Sequence, residues 1–287
     1  MRKYTKDIIA YLCLILSTIA TLALISARQC ATELSVAHYA VAAEKLTASL
    51  RIVQLSDLHG YVYGEENCEL VALVEKQQPD LILMTGDMLD KSAENPEVVR
   101  NLIRDLRDTA PVFYGFGNHE DIWIKETGVD LASQLEEAGA VVLELAFTDT
   151  VIRGQSLRIG GYHGYYRYWG MQSQVGGEEE FAENFENTDR TKLLLGHIAT
   201  VWTDWQAADR FPVDYIFTGH YHGGQIRLPL IGGLYAPYVG WFPRYTEGVF
   251  VGDQGTVILS TGLGASPGIP RINNLPQIVV VDLIPKT

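Results

Sequence analysis

Five short runs of residues carry most of the chemistry this chain could do. They are Asp57-Leu58-His59, Gly86-Asp87-Met88-Leu89-Asp90, Gly117-Asn118-His119-Glu120, Gly196-His197 and Gly219-His220-Tyr221-His222. Five of the seven histidines fall within them, leaving His38 and His163. Carboxylates, imidazoles and an amide oxygen together suit divalent manganese, iron or zinc. Thiolates are not part of the set. Cys13, Cys30 and Cys68 form no CxxC pair, which argues against a closed structural zinc site and against a disulfide framework. Cys30 follows Ala27-Arg28-Gln29, which lacks the apolar and small residues that a lipoprotein signal places before its cysteine. Singly, each run is weak, because Asp, Asn and His at strand ends more often cap turns or hydrogen-bond the backbone. The order of all five along one chain is the signal.

Each run follows a short apolar segment. Arg51–Leu55, Leu81–Met84, Val112–Phe116, Lys192–Leu195 and Tyr215–Phe217 read as buried strands. Ligands of open α/β sheets bind beyond the carboxyl ends of the strands, so the donors stand where a site would form. Amphipathic stretches at Glu66–Gln77, Pro96–Arg107 and Val129–Ala138 alternate with the first strands. That rhythm predicts parallel strands with crossover helices. Beyond Ala140 the pattern tightens. Val141–Leu145, Val151–Arg153 and Leu157–Gly160 read as a meander, and Gly248–Phe250, Val257–Ser260 and Ile278–Leu283 as further strands.

Taken together, the five runs resemble the signature of the calcineurin-like metallophosphoesterases, over about residues 50–284. The segment His222-Gly223-Gly224-Gln225-Ile226-Arg227-Leu228-Pro229 is similar to the branch of that family with an N-terminal membrane segment. So are Gly233-Leu234-Tyr235-Ala236-Pro237, Pro243-Arg244-Tyr245-Thr246-Glu247-Gly248 and Gly262-Leu263-Gly264. Some members of that branch are described as UDP-2,3-diacylglucosamine hydrolases or as phosphodiesterases. The resemblance implies an α/β fold, a four-layer αββα sandwich of two mixed sheets flanked by helices. It also implies two divalent metal ions. Asp57, His59 and His222 would hold one, Asn118, His197 and His220 the other, and Asp87 would bridge them. His119 would give a proton to the leaving oxygen, with Asp90 holding its ring. Glu120 reads as a solvated turn residue. Arg227, Arg244 and Arg271 are the candidate phosphate clamps. The aromatic segments Tyr162–Trp169 and Pro229–Tyr245 are candidate walls of an apolar mouth. The chain departs from the branch at Gly196-His197-Ile198-Ala199, where Ser-His-x-Pro-Glu is common. The departure spares the ligands and bears on substrate choice.

Ile8 to Ser26 is a run of 19 residues without charge, preceded by Arg2, Lys3 and Lys6. It is long enough to span a bilayer and longer than the core of a cleavable signal. Positive charge at its leading end puts the N-terminus in the cytoplasm. The expected organisation is a signal anchor over 1–28, a stalk and connection over 29–49 with Leu34–Tyr39 a candidate first strand, and a metallophosphoesterase domain over 50–284. That domain would stand outside the cytoplasm on a single-pass anchor in the cell membrane. The charge supports a limit on partners. Net charge is −13. Residues 1–49 carry five Lys/Arg against three Asp/Glu, and the rest 17 against 32. A surface so acidic repels a nucleic-acid backbone, so the expected substrate is a phosphorylated small molecule or lipid, with no nucleic acid. A secreted form after cleavage and a non-catalytic sensor on the same fold are the competing readings. Retention of both Asp87 and His119 argues against the sensor.

Overall fold

A computed structural model describes residues 2–162, 177–209, 211–265 and 268–286. The chain begins with α1 (Arg2–Thr32) and continues into β1 (Ser35–Ala43). Then follow β2 (Leu50–Leu55), α2 (Cys68–Lys76), β3 (Leu81–Thr85), α3 (Glu97–Leu106), β4 (Val112–Gly115), α4 (Asn118–Thr127), α5 (Leu131–Ala138) and β5 (Ala140–Leu143). The second half runs β6 (Ala146–Ile152), β7 (Gln155–Gly161), α6 (Glu178–Glu186), β8 (Thr191–Ile198), α7 (Ala199–Trp202) and β9 (Tyr215–Gly219). Four two-residue strands follow: β10 (Arg227–Leu228), β11 (Gly232–Gly233), β12 (Tyr235–Ala236) and β13 (Gly240–Trp241). The chain closes with β14 (Gly248–Val251), β15 (Thr256–Leu259) and β16 (Gln277–Pro285).

Two six-stranded mixed sheets result, in the orders β1-β16-β2-β3-β4-β5 and β14-β15-β9-β8-β7-β6. Strand periodicity decides which face goes where. In β3, Leu81 and Leu83 point between the sheets, where they meet Leu193, Leu195 and Phe217 of the second sheet. Ile82 and Met84 point the other way, into a layer with Leu102, Ile103 and Leu135 of α3 and α5. On the far side, Leu194 and Ile216 pack with Phe185 of α6 and Trp202 of α7. Helices therefore cover both outer faces, and the expected αββα layering is what the packing builds. β2, β3 and β4 are mutually parallel, as are β8 and β9. Their carboxyl ends bring the five motif runs to one edge of the sandwich.

The meander is the clearest correction. Spacing groups Val141–Leu145 with the strands that follow it, but β5 pairs in parallel with β4 and completes the first sheet. Only β6 and β7 form an antiparallel hairpin, in the second sheet. Spacing alone hides a crossover between sheets when the linker is as short as Glu144-Leu145. At the N-terminus, β1 pairs in parallel with β16 over its whole length, so residues 35–43 form an edge strand of the first sheet. Among the described residues α1 is the one helix long and apolar enough to cross a membrane, by length and composition.

Candidate metal centre

Sharp turns after the strands set the site. Asp57, His59, Asp87, His220 and His222 all have positive φ, between 47° and 71°. For residues with a Cβ this left-handed conformation is costly, and such strain gathers at functional sites. The turns hold because the loops approach very closely. A Cβ on Gly86 would stand 2.7 Å from the Gly117 amide and 2.8 Å from His197 Nδ1. A Cβ on Gly219 would collide with the Asp57 carboxylate and the Ser56 hydroxyl.

Among the described residues three donor groups emerge, one of them His59, Asp90 and His119, and the other two match the expected ligand sets. In the first of these two, ligand atoms of Asp57, His59 and His222 lie within 4.8 Å of one another; in the second, those of Asp87, His197 and His220 do. Asp87 stands between them. Its Oδ2 is 3.2 Å from His197 Nε2 and 3.9 Å from His59 Nε2. The amide of His119, in the first turn of α4, donates to its Oδ1 at 2.8 Å. The amide of His220 donates to both Asp57 oxygens, at 2.9 and 3.2 Å. Within the first group, His59 Nε2 and His222 Nε2 approach to 3.3 Å.

The donor set fits divalent cations. His59 Nδ1, Asn118 Oδ1, His220 Nε2 and His222 Nδ1 are buried with no hydrogen-bond partner. Buried polar atoms are rarely left so, and these four divide evenly between the two expected ligand groups. His197 Nδ1 lies 2.8 Å from the Thr85 carbonyl, a contact that turns Nε2 toward the site. Burial lowers His220 to about 3 and, with the neighbouring His59, holds His222 well below the usual imidazole range; both are neutral and able to ligate. Burial opposes charge on Asp87, yet His197, His59 and His119 hold its carboxyl well below the ordinary value. His197 is pulled down by burial and pushed up further by Asp87, to about 9. A cation would take the place of that shared proton, since ligands bind metal deprotonated.

His119 lies at the edge of the group, its ring edge-on to His59 with centroids 4.4 Å apart. Asp90 Oδ2 is 3.4 Å from His119 Nδ1 and 3.7 Å from His59 Nδ1, and the Lys91 amide donates to the same His119 nitrogen at 3.2 Å. Asp90 thus faces both rings rather than bonding one. Burial lowers His119 against the pull of Asp87.

Glu120 is not a solvated turn residue. It is fully buried and accepts from the amides of Asp87 (2.8 Å), Leu89 (3.0 Å) and Gly117 (2.9 Å) and from the Tyr114 hydroxyl (2.7 Å). One carboxylate therefore fastens the turn after β3 to the turn after β4. The signal was available: Gly117 and Glu120 have the spacing of a helix cap and its third helical residue. Two further neighbours complete the surroundings, Tyr238 from the expected mouth segment Pro229–Tyr245 and Asn274, which had no sign of its own in the sequence. Tyr238 stacks on His220, centroids 5.3 Å apart and planes at 7°. Asn274 Nδ2 donates to the His222 carbonyl at 2.7 Å.

The three arginines stand in three different settings. Arg271 is buried and donates to the carbonyls of Gly264 and Thr261. Arg227 is paired with Glu247. Arg244 is exposed and lies over the Tyr245 ring at 5.2 Å. Of the two aromatic segments, Tyr162 packs in the core with Trp202, and residues 163–169 lie outside the described residues.

Comparison with known proteins agrees with the geometry. Residues 50–224 match the family model for calcineurin-like phosphoesterases. The chain is 28% identical to phosphodiesterase YaeI of Escherichia coli over 240 residues, 83% of each chain. It is 27% identical to the uncharacterized metallophosphoesterase YkoQ of Bacillus subtilis over 237 residues, 80% of this chain and 82% of that one. Among solved structures, the 5'-nucleotidase precursor of Thermus thermophilus is similar at 15% identity and a TM-score of 0.45, over 82% of this chain and 54% of that chain.

Proposed function

Because the chain belongs to the calcineurin-like phosphoesterases, hydrolases of phosphoric esters that use two divalent metals, we propose that it is a membrane-anchored dinuclear phosphohydrolase. Its bond is a phosphodiester or pyrophosphate. The observation that carries the dinuclear reading is Asp87, whose carboxylate lies between the two donor groups. Asp57, His59 and His222 would hold one ion and Asn118, His197 and His220 the other. Bound there, the cations supply an activated water and neutralise charge on the phosphoryl group.

The chain's own residues do the rest. Asp87 joins the two halves and is held by the α4 amide of His119. The His119 ring is the most solvent-facing imidazole of the cluster, at 12% exposure, so it is placed to donate a proton to a departing oxygen. Asp90 beside it favours the charged ring against the effect of burial. Asp87 and His119 standing in one cluster favours an enzyme over a sensor.

Anchoring rests on α1. Arg2, Lys3 and Lys6 before its apolar run put the domain on the outer face of the membrane. A site so placed would not meet cytoplasmic nucleotide-lipids, which disfavours UDP-2,3-diacylglucosamine, the alternative substrate. The test is hydrolysis of bis-p-nitrophenyl phosphate by the full chain. Activity should vanish with a chelator and return with Mn²⁺, and protease added to intact spheroplasts should digest the domain. Chelator-resistant hydrolysis would refute the metal reading, and a protected domain the topology.

A further inference from the structure

Resting on the reading that α1 spans the membrane, we propose that loops around the metal centre form an apolar collar seated in the outer lipid interface. The substrate is then an amphiphile whose phosphoester is reached at headgroup depth. Leu230, Ile231, Trp241 and Phe242 are 108%, 63%, 68% and 57% exposed, and Tyr61 and Ile269 are exposed as well. Several large apolar side chains left in solvent within one short stretch of chain, Leu230 to Phe242, mark an interaction surface.

Its place relative to α1 identifies the occupant. The apolar run from Ile8 to Ser26 rises about 28 Å at about 1.5 Å per residue, close to the ~30 Å hydrocarbon thickness. Ser26 therefore stands at the outer boundary. There the helix meets the domain. The Asn273 amide donates to Ser26 Oγ at 2.7 Å, the Tyr61 hydroxyl donates to the Ala31 carbonyl at 2.8 Å, and Cys30 is buried. Asn273 Nδ2 donates to the Arg227 carbonyl at 3.2 Å, and the Arg227 amide to the Ile272 carbonyl at 3.0 Å. Arg227 opens β10, and Leu230 follows three residues later. The return path is tied to the same place. The Phe242 amide donates to the Leu234 carbonyl, and the Leu234 amide to the Ile226 carbonyl, each at 2.8 Å. A short series of hydrogen bonds thus fixes the collar to the level at which α1 leaves the bilayer.

The same loop reaches the metal centre, through Tyr238 stacked on His220. Collar and chemistry are therefore one unit, and no flexible stalk separates them from the helix, because β1 begins three residues after α1 ends. Tryptophan, tyrosine and phenylalanine with aliphatic neighbours are what the headgroup region favours. The acidic domain gains nothing from anionic headgroups, so insertion is driven by apolar contact rather than charge.

The test uses the full chain in phosphatidylcholine vesicles, with and without bromine on the upper acyl chain. Flotation reports α1. The difference in tryptophan emission between the wild type and Trp241→Phe isolates Trp241. The chain should float, and Trp241 emission should fall at least about twofold in brominated vesicles, as expected for a depth of about 5–10 Å. A chain that floats with Trp241 unquenched overturns the collar and leaves the anchor standing. If Trp241 is unquenched and its emission instead shifts with protein concentration, a second copy covers the patch and the lipid assignment fails. A chain that does not float overturns anchor and collar together, while metal-dependent hydrolysis of a soluble ester still tests the chemistry.

Discussion

At the floor of the site, His197 comes from the end of β8, Asn118 from the start of α4 and the other donors from turns after strands, and five of the seven sit at positive φ, pinned by neighbouring loops. At its mouth, residues 227–242 include two hairpins of two-residue strands, from which Leu230, Ile231, Trp241 and Phe242 face solvent. The floor is over-determined: moving one ligand means moving a glycine contact, a backbone hydrogen bond and a buried carboxylate with it. The mouth is held through its backbone at Arg227, Gly233, Leu234 and Ala236, while Leu230, Ile231, Trp241 and Phe242 stand out in solvent. Catalytic geometry is therefore fixed before substrate arrives, while substrate choice is left to the large exposed side chains of the mouth. Changes in the floor should abolish turnover on every substrate. Changes in the mouth should matter only for substrates that touch it.

The sharpest break in that contrast comes from His119. His119→Ala should keep its metal and lower turnover by ~10²–10⁴, the range for losing a general acid. The loss should shrink for a leaving group of low pKa, which steady-state kinetics on a nitrophenyl and an alkyl ester would show. Loss of bound metal instead would make His119 a ligand. Glu120 comes next. Glu120→Ala leaves three buried amides and the Tyr114 hydroxyl without an acceptor, at a cost of about 3 kcal/mol or more. Denaturant unfolding should report that loss, and metal affinity should fall by about 10–100-fold, as for other residues that orient ligands. Unchanged affinity in a folded Glu120→Ala would show that the two turns hold without their shared carboxylate.

The smallest effect belongs to the scaffold. Arg158 donates to both Asp149 oxygens, at 2.7 and 2.8 Å, and that bond holds the Asp149 carboxyl below its ordinary value. A carboxyl lowered in the fold stabilises it above the unfolded pKa, about 3.9, and the contribution is lost as pH falls through the folded value. Because Asp149 is about a third exposed, Asp149→Asn should cost less than about 1 kcal/mol at pH 7. The difference should close toward pH 3 in urea unfolding. A cost of several kcal/mol would mean that the outer hairpin is as tightly specified as the floor.

What could be read in the sequence follows the same division. Ligand positions were legible because a residue type coincides with the carboxyl end of an apolar strand, directly after a glycine at Asp87, Asn118, His197 and His220. Tertiary packing adds the five together but does not choose them. The place of β5 was not legible, because its partner is β4 and not the hairpin next to it, and no local pattern encodes that choice. The role of Glu120 was hidden because burial of a carboxylate depends on donors from two other segments. Arg271 was legible only as a residue type: two of its nitrogens donate to the carbonyls of Thr261 and Gly264, and Nη1 is buried without a partner. The contact of Tyr238 with His220 is legible in no motif at all.

Metal content tests the shared centre most directly. The purified full chain, loaded with Mn²⁺ and passed through a desalting column, should carry two ions by mass spectrometry of the metal. Asp87→Ala should lose at least one ion and nearly all hydrolysis of bis-p-nitrophenyl phosphate, with unchanged far-ultraviolet circular dichroism. A wild-type chain that holds one ion or none at full activity, or an Asp87→Ala chain that keeps both ions and full turnover, would contradict a dinuclear centre bridged by Asp87.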